Sequence, residues 1–223
     1  MAALTENIKE SVLNDIAKGF EEITPKEYAF MKYPRLIPMM KFETHIFKID
    51  GFGKLFLMDT KAMGGAMKLL TLSLTPCEGG DIPYLLIDSM SMKNKDLAYV
   101  EYYDCTGKKL SFEELDTVKE KYLSLPDYAE KEAWYISERM PASLIKGGEG
   151  ADAEALFNMA LESLRTYLAL AKKTPKDPRN LEGLKAFRDR MLTEGNPSSG
   201  TMEKVLGKDG SAKFYKECIM PVE

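Results

Sequence analysis

Five strand-like runs follow one another between residues 41 and 104 with only short turns between them. The runs cover residues 41–50, 54–60, 67–75, 84–90 and 97–104. Consecutive strands with short connections form an antiparallel meander, because parallel strands need long crossover segments. No helical pattern interrupts the series, which disfavours βαβ units and a parallel, doubly wound sheet.

Helical patterns lie on both sides of this meander. Thr5 precedes an apolar stripe that predicts a helix over residues 5–20. After Gly107, helices are predicted at about 111–124, 127–139, 152–173, 180–194 and 201–218. Because both faces of the strands carry apolar residues, helices must cover the sheet on both sides. The sequence predicts an α+β fold with an antiparallel β-sheet sandwiched between α-helical layers. We expect one domain over residues 1–223, with the helix 5–20, the meander 41–104 and a helical half 111–220.

Composition excludes several classes of protein. The net charge of −4 provides no basic excess for general nucleic-acid binding. Three widely spaced cysteines form no zinc or redox motif and are expected as reduced thiols in a cytoplasmic protein. The N-terminus has no apolar signal region, and no apolar stretch approaches membrane-spanning length, so we expect no membrane partner.

Asp88 interrupts the apolar run 84-YLLIDSM-90. Side chains alternate along a strand, so Leu86 and Asp88 share one face while Leu85 and Ile87 share the other. An ionised carboxylate on an apolar face is costly unless it is paired, hydrogen-bonded or protonated. Asp88 therefore faces either solvent or a functional site, and the strand pattern alone leaves both interpretations open.

Other chemistry-bearing patterns are weak. Gly51-Phe52-Gly53 lacks the third glycine of a dinucleotide loop. His45 is the only histidine, which leaves metal binding unsupported and favours a structural or surface role. The segment 165–190 is locally basic and indicates either a solvated helix face or a surface for an acidic partner or ligand carboxylates.

Two stretches resemble the ferredoxin-dependent bilin reductases. In 76-PCEGGDIPYLLID-88, Asp81-Ile82-Pro83 and then Asp88 fall in the register of that family's Asp-x-Pro and strand aspartate. The tail 187–220 is similar to the family's ending of a helix, an Asn-Asp turn, a Leu-x-x-x-Phe-Gly-like segment and a last helix. The match covers residues 40–90 and 185–220. The family includes the phycocyanobilin- and phytochromobilin-forming oxidoreductases, with red chlorophyll catabolite reductase as a relative.

The resemblance implies a sheet between helices and a pocket for a linear tetrapyrrole. It implies no bound cofactor or metal, since single electrons come from external reduced ferredoxin or flavodoxin. Pocket carboxylates then supply protons to the bilin.

The resemblance also assigns site residues. Asp88 matches the proton-donating strand aspartate, and Asp59 falls where some members carry a pocket glutamate. Thr71 falls at the position of a pocket histidine, which threonine cannot replace as an acid. Asn196 matches the asparagine of the tail turn, whereas Pro197 stands where many members have a second catalytic aspartate. The expected catalytic residues are Asp88, Asp59 and Asn196, with Thr71 as a substrate contact.

Ligand propionates need cationic partners, for which the resemblance makes Arg165, Arg188 and Arg190 the candidates. Basic residues near the pocket mouth would dock the acidic electron donor. The missing acids leave one alternative open, a non-catalytic tetrapyrrole-binding or carrier protein on the same fold. A reductase for an open-chain chlorophyll catabolite and an interaction protein with only fold-level resemblance are further alternatives.

Overall fold

The computed structural model describes residues 3–34, 36–196 and 199–222, and its centre is one antiparallel sheet. Within those residues the strands are β1 (Glu21–Glu22), β2 (Phe30–Tyr33), β3 (Met40–Ile49), β4 (Gly53–Ala62), β5 (Met67–Thr75), β6 (Tyr84–Met92), β7 (Lys95–Tyr103) and β8 (Leu144–Gly148). Their order is β1-β3-β4-β5-β6-β7-β8, and β2 also pairs with β3. The five predicted strands correspond to β3–β7 and are confirmed.

Helices flank the sheet. They are α1 (Leu4–Ser11), α2 (Lys26–Ala29), α3 (Glu113–Lys121), α4 (Ala153–Ala171), α5 (Asn180–Thr193) and α6 (Ser199–Phe214). Two π-helical turns, Val12–Ile16 and Tyr215–Ile219, continue α1 and α6. Among the helices of the described residues, none is both long enough and apolar enough to cross a bilayer.

Two hydrophobic cores lie on opposite faces of the sheet. One face packs against α1, α3 and α4, and its sheet residues include Leu72, Leu85 and Ile87. The other face packs against α5, α6 and the C-terminal π-helical turn, with Leu86 among its sheet residues. Burying both faces of a sheet needs a helical layer on each side. The predicted α+β sandwich is confirmed.

The first predicted helix, over residues 5–20, is shorter than expected. Its α-helical part ends at Ser11, and the π-helical turn ends at Ile16. The chain then reverses into β1 through Gly19, whose φ of +99° is a left-handed conformation that favours glycine. The apolar stripe predicts which side of the helix is buried, but it does not predict the residue at which the helix ends.

The predicted helix over 127–139 is wrong. The segment runs beside β8, where Tyr128 N donates to Ile145 O (3.1 Å) and Gly147 N donates to Pro126 O (2.9 Å). A 3-10 turn, Trp134–Glu138, is its only helical part in the described structure. Because β8 supplies partners for the backbone here, an intrahelical ladder is unnecessary.

Strand β8 was expected as part of the helical half 111–220, with 147–150 as a loop. It pairs instead with β7, from Asp96 opposite Gly148 to Val100 opposite Leu144. A five-residue strand that ends in two glycines gives little periodic signal. Its formation extends the sheet and carries the segment 128–139 across the face that bears Asp88.

Candidate functional site

Asp88 lies in the middle of the sheet, on the face covered by α5 and α6. It is directly opposite Thr71 of β5 and Tyr99 of β7 in the two ladders, so these three side chains share a face. Leu86 lies on the same face, whereas Leu85 and Ile87 belong to the opposite core. The alternation expected from the sequence therefore holds.

A cavity of about 500 Å³ opens beside Asp88. Its floor is the sheet, and the segment 128–139 forms its roof. The lining residues are Leu69, Thr71, Asp88, Ser89, Met90, Tyr99, Glu101, Tyr128, Ala129, Glu130, Lys131, Tyr135 and Arg139. Small-molecule sites usually occupy ~300–1,000 Å³ and combine apolar walls with a few polar groups, as this cavity does.

The surroundings of the Asp88 carboxyl bring its pKa close to neutral pH. Burial raises its pKa to about 7, and the negative charge of Glu101 acts in the same direction. Thr71 Oγ1 donates a hydrogen bond to Asp88 Oδ1 at 2.6 Å, which stabilises the ionised form and opposes that rise. A carboxyl with a pKa near 7 can give and regain a proton at neutral pH.

Glu101 and Arg139 connect the roof to the floor. The buried Glu101 accepts a hydrogen bond from Tyr103 Oη (2.7 Å) and another from Arg139 Nε (2.6 Å). Arg139 also forms a two-pronged contact with Glu130 of the roof, with Nη2 to Oε1 at 2.9 Å. Burial raises the pKa of Glu101, while the Arg139 guanidinium opposes that rise. Arg139 therefore has both neighbouring carboxylates as partners.

Tyrosines form much of the cavity wall. Tyr99 and Tyr128 meet edge to face, with ring centroids 6.0 Å apart. The Arg139 guanidinium lies 5.9 Å from the ring centre of Tyr135, and Lys95 Nζ lies 4.6 Å from that of Tyr128. Such a wall offers aromatic faces to a flat ligand.

The expected second carboxylate, Asp59, does not reach this cavity. Asp59 is opposite Leu70 in the ladder, one position out of step with Thr71, so it lies on the α1 face of the sheet. It is 4% exposed, and its Oδ2 accepts a hydrogen bond from Lys9 Nζ of α1 at 3.2 Å. Asp59 lies on β4, two strands before the strand of Asp88, but its side chain is on the face of the sheet away from the cavity.

The three expected arginine clamps lie outside the cavity lining as well. Arg165 is exposed on α4, in the layer on the opposite face. Arg188 Nη1 donates to Val222 O at 2.6 Å. Arg190 pairs with Glu138 and Glu194, and its guanidinium stacks 4.1 Å above the Trp134 ring. The arginine that does line the cavity is Arg139.

The expected tail turn contains Asn196 and Pro197, and only Asn196 is among the described residues. Asn196 is half-buried, and its Nδ2 donates to Met191 O at 3.1 Å, outside the cavity lining. Pro197 lies outside the described residues. His45 contacts Glu22 Oε1 (2.9 Å) and Glu43 Oε1 (3.2 Å) on the Asp59 side of the sheet.

Sequence reasoning missed Glu101, Arg139 and the tyrosines. Glu101 carries the same signal as Asp88, since it is a carboxylate within the apolar run 97-LAYVEYYD-104. Arg139 falls in the segment that was expected to be helical, so its approach to the sheet gave no signal. Over residues 3–34, 36–196 and 199–222, no cluster of His, Cys, Asp and Glu has the arrangement of a metal site.

Comparison with solved structures identifies the fold. Tomato phytochromobilin synthase, crystallised in complex with biliverdin, superposes with a TM-score of 0.66 at 13% sequence identity. The superposition covers 94% of this chain and 78% of the tomato chain. This chain has the phytochromobilin synthase fold. No protein-family model and no curated protein matches its sequence.

Proposed function

We propose that this protein reduces a linear tetrapyrrole bound in the cavity beside Asp88. The electrons would arrive singly from an external reduced ferredoxin or flavodoxin, and Asp88 would donate a proton. The fold shared with a protein crystallised with biliverdin supports the ligand class. The observation that carries the proposal is a carboxyl with a pKa of about 7 facing a cavity of about 500 Å³.

The proposed chemistry uses Asp88 after electron transfer. One electron converts the bilin to a radical anion, which is more basic than the neutral pigment. Asp88 then transfers its proton to that anion and becomes a carboxylate, which Thr71 stabilises through its hydrogen bond. The donor then supplies a second electron and water supplies the second proton, which completes the two-electron reduction, and water also returns a proton to Asp88.

Ligand binding would use the tyrosine wall for the flat pyrrole rings. Arg139 already binds Glu101 and Glu130, so it is a poor clamp for a ligand carboxylate. Lys131 lines the cavity, is exposed, and forms no ion pair with the described residues. We propose Lys131 as the cation for a propionate, in place of the expected arginines. A cytoplasmic location and a resident-cofactor-free site belong to the same proposal.

A non-catalytic tetrapyrrole carrier is the second candidate. It is favoured by how the other groups are engaged, because Glu101 and Glu130 are both paired with Arg139, and Asp59 lies across the sheet. Thr71, which lies beside Asp88, cannot donate a proton as an acid. A carrier would use the same cavity and the same tyrosine wall. The two candidates differ only in whether the bound pigment is reduced once electrons arrive.

Visible spectra with biliverdin test both candidates. Purified protein is mixed with biliverdin, and spectra are recorded with and without a reduced ferredoxin system. A reductase gives progressive loss or a blue shift of the pigment band only with the electron donor, whereas a carrier gives a static shift in both conditions. No spectral change in either condition would contradict both.

Variants then test the role of Asp88. Asp88→Asn should bind biliverdin and fail to turn it over. Asp59→Asn is the matched control, because it makes the same substitution on the opposite face of the sheet. Unchanged kinetics of Asp88→Asn would remove Asp88 from the mechanism.

A further inference from the structure

Exposed apolar side chains concentrate at one end of the sheet. Among the described residues, seven large hydrophobic side chains are exposed: Phe30, Leu36, Ile37, Met39, Met63, Met92 and Leu123. Four of them form what we name the apolar tip, which is defined by Leu36, Ile37, Met39 and Met63. Leu36 is 94% exposed and Ile37 is 81% exposed, so each contacts almost nothing of its own chain.

The apolar tip comes from two connections that lie side by side. Met40 of β3 is opposite Ala62 of β4 at the last pair of their ladder, so Met39 and Met63 leave the sheet at neighbouring positions. Met63 has a φ of +51°, a costly backbone conformation for a methionine, and its side chain projects into solvent. Exposed apolar patches of this kind mark contact sites.

Four lysines lie directly behind the apolar tip, and we name them the lysine row. Lys32 is opposite Lys41, Lys41 is opposite Lys61, and Lys61 is opposite Lys68 on four adjacent strands. Like charges in directly opposite positions repel and destabilise a sheet. In a chain of net charge −4, such a row creates a local positive field without helping the fold.

The outer half of the lysine row has no internal compensation. Lys68 Nζ lies 2.8 Å from Glu6, and Lys61 Nζ lies 3.8 Å from the same carboxylate. Lys32 and Lys41 form no ion pair with any described residue, and Lys32 Nζ instead lies 5.0 Å from the ring centre of exposed Phe30. These two charges are available to an anionic surface.

We infer that the apolar tip and the lysine row form a docking surface for an anionic lipid bilayer. Aliphatic side chains would enter the boundary between headgroups and acyl chains, while lysines would reach the phosphates at the level of the headgroups. This contact lies on the surface and needs no spanning helix, so it departs from the expectation of no membrane partner, which considered only signal and spanning segments. It is independent of the proposed reductase function.

Two other occupants fit less well. A second copy could add a strand to the open edge of β2, but Lys32 on that edge opposes such pairing. Protein interfaces are depleted in lysine, and a projecting tip needs a matching hollow in a protein partner, whereas a bilayer needs none.

Vesicle co-sedimentation of the full chain tests this inference. The probes are phosphatidylcholine vesicles and the same vesicles with about one third phosphatidylserine. We expect binding to the anionic vesicles at least about tenfold stronger than to neutral ones, and weaker binding at high salt. The variants Leu36→Ser/Ile37→Ser and Lys32→Glu/Lys41→Glu should each weaken binding about tenfold or more.

Two matched controls test the location. Leu123→Ser removes an exposed leucine elsewhere, and Lys172→Glu/Lys173→Glu reverses two exposed lysines directly after the C-terminus of α4, so both variants should bind as the parent does. Absence of vesicle binding by the folded parent overturns the inference, as do equal losses in the controls. A concentration-dependent dimer that Leu36→Ser/Ile37→Ser abolishes, without vesicle binding, would assign the surface to a second copy instead.

Discussion

Thr71 Oγ1 donates a hydrogen bond to Asp88 Oδ1 at 2.6 Å from the directly opposite position on the neighbouring strand. The position that the family resemblance gives to a pocket histidine is therefore occupied by a hydroxyl that stabilises the ionised form of Asp88. This contact controls how much of Asp88 carries a proton at a given pH.

Thr71→Val should raise the pKa of Asp88 above its value of about 7, because the variant loses the donor that favours the carboxylate. Hydrogen bonds to charged groups contribute ~1.5–3 kcal/mol, which corresponds to a rise of about one unit or more. Carbon-13 NMR titration of the Asp88 carboxyl measures this directly. Thr71→Ser keeps a hydroxyl and should titrate as the parent does, and equal pKa values in all three proteins would contradict the assignment.

The free energy of unfolding should fall as the pH rises from about 4 to about 7, because Asp88 loses its stabilising proton over this range. Its pKa is about 7 in the folded state and about 3.9 in an unfolded chain, so between these values the folded state holds a proton that the unfolded state has lost. This contribution to the free energy of unfolding is complete below about pH 4 and is lost as pH rises through about 7.

We therefore compare the free energy of unfolding of Asp88→Asn with that of the parent by urea unfolding at pH 4 and pH 8. The difference, variant minus parent, should be about 2–4 kcal/mol more positive at pH 8 than at pH 4. Asp50→Asn is the control, since Asp50 lies in an exposed turn with 91% of its side chain accessible. Parallel pH profiles for Asp88→Asn and the parent would show that the Asp88 carboxyl is not the group responsible.

Glu101→Gln should lower the pKa of Asp88, because the neighbouring negative charge is one of the two causes that raise it. Arg139→Gln should act in the opposite direction, since it leaves the Glu101 charge uncompensated and destabilises the fold by ~3–5 kcal/mol. Carboxyl NMR in the ligand-free protein gives the sign of both effects. Shifts in the same direction for both variants would contradict this account of the pair.

Asp59→Asn should change stability and leave the pigment spectrum unchanged. Asp59 holds Lys9 of α1 on the face of the sheet away from the cavity, so the variant weakens an ion pair of a lysine whose side chain is 17% exposed. We expect a loss of about 1–3 kcal/mol in the free energy of unfolding. An altered biliverdin spectrum would show that the two faces are coupled.

The sheet could be predicted from the sequence because alternation and short turns are local signals. Asp88 stood out for the same reason, as a carboxylate within an apolar strand. Asp59 shows where this reasoning stops, since a shift of one residue in the register moves a side chain to the other face. The positions of Arg139 and β8 could not be predicted in the same way. They depend on backbone pairing between residues far apart in the sequence, which leaves no periodic pattern along the chain.

Different parts of the chain hold Asp88 in place and shape the cavity beside it. Its floor belongs to a hydrogen-bonded ladder, in which the pairing of the strands determines where each side chain lies. Its roof, residues 128–139, contains one 3-10 turn and no strand, and Arg139 is one of its ties to the sheet. Insertions or exchanges in that covering segment would reshape the space for a ligand while the proton-bearing centre stays in register. If the proposed ligand class is right, selectivity among pigments would be open to redesign in a dozen contiguous residues.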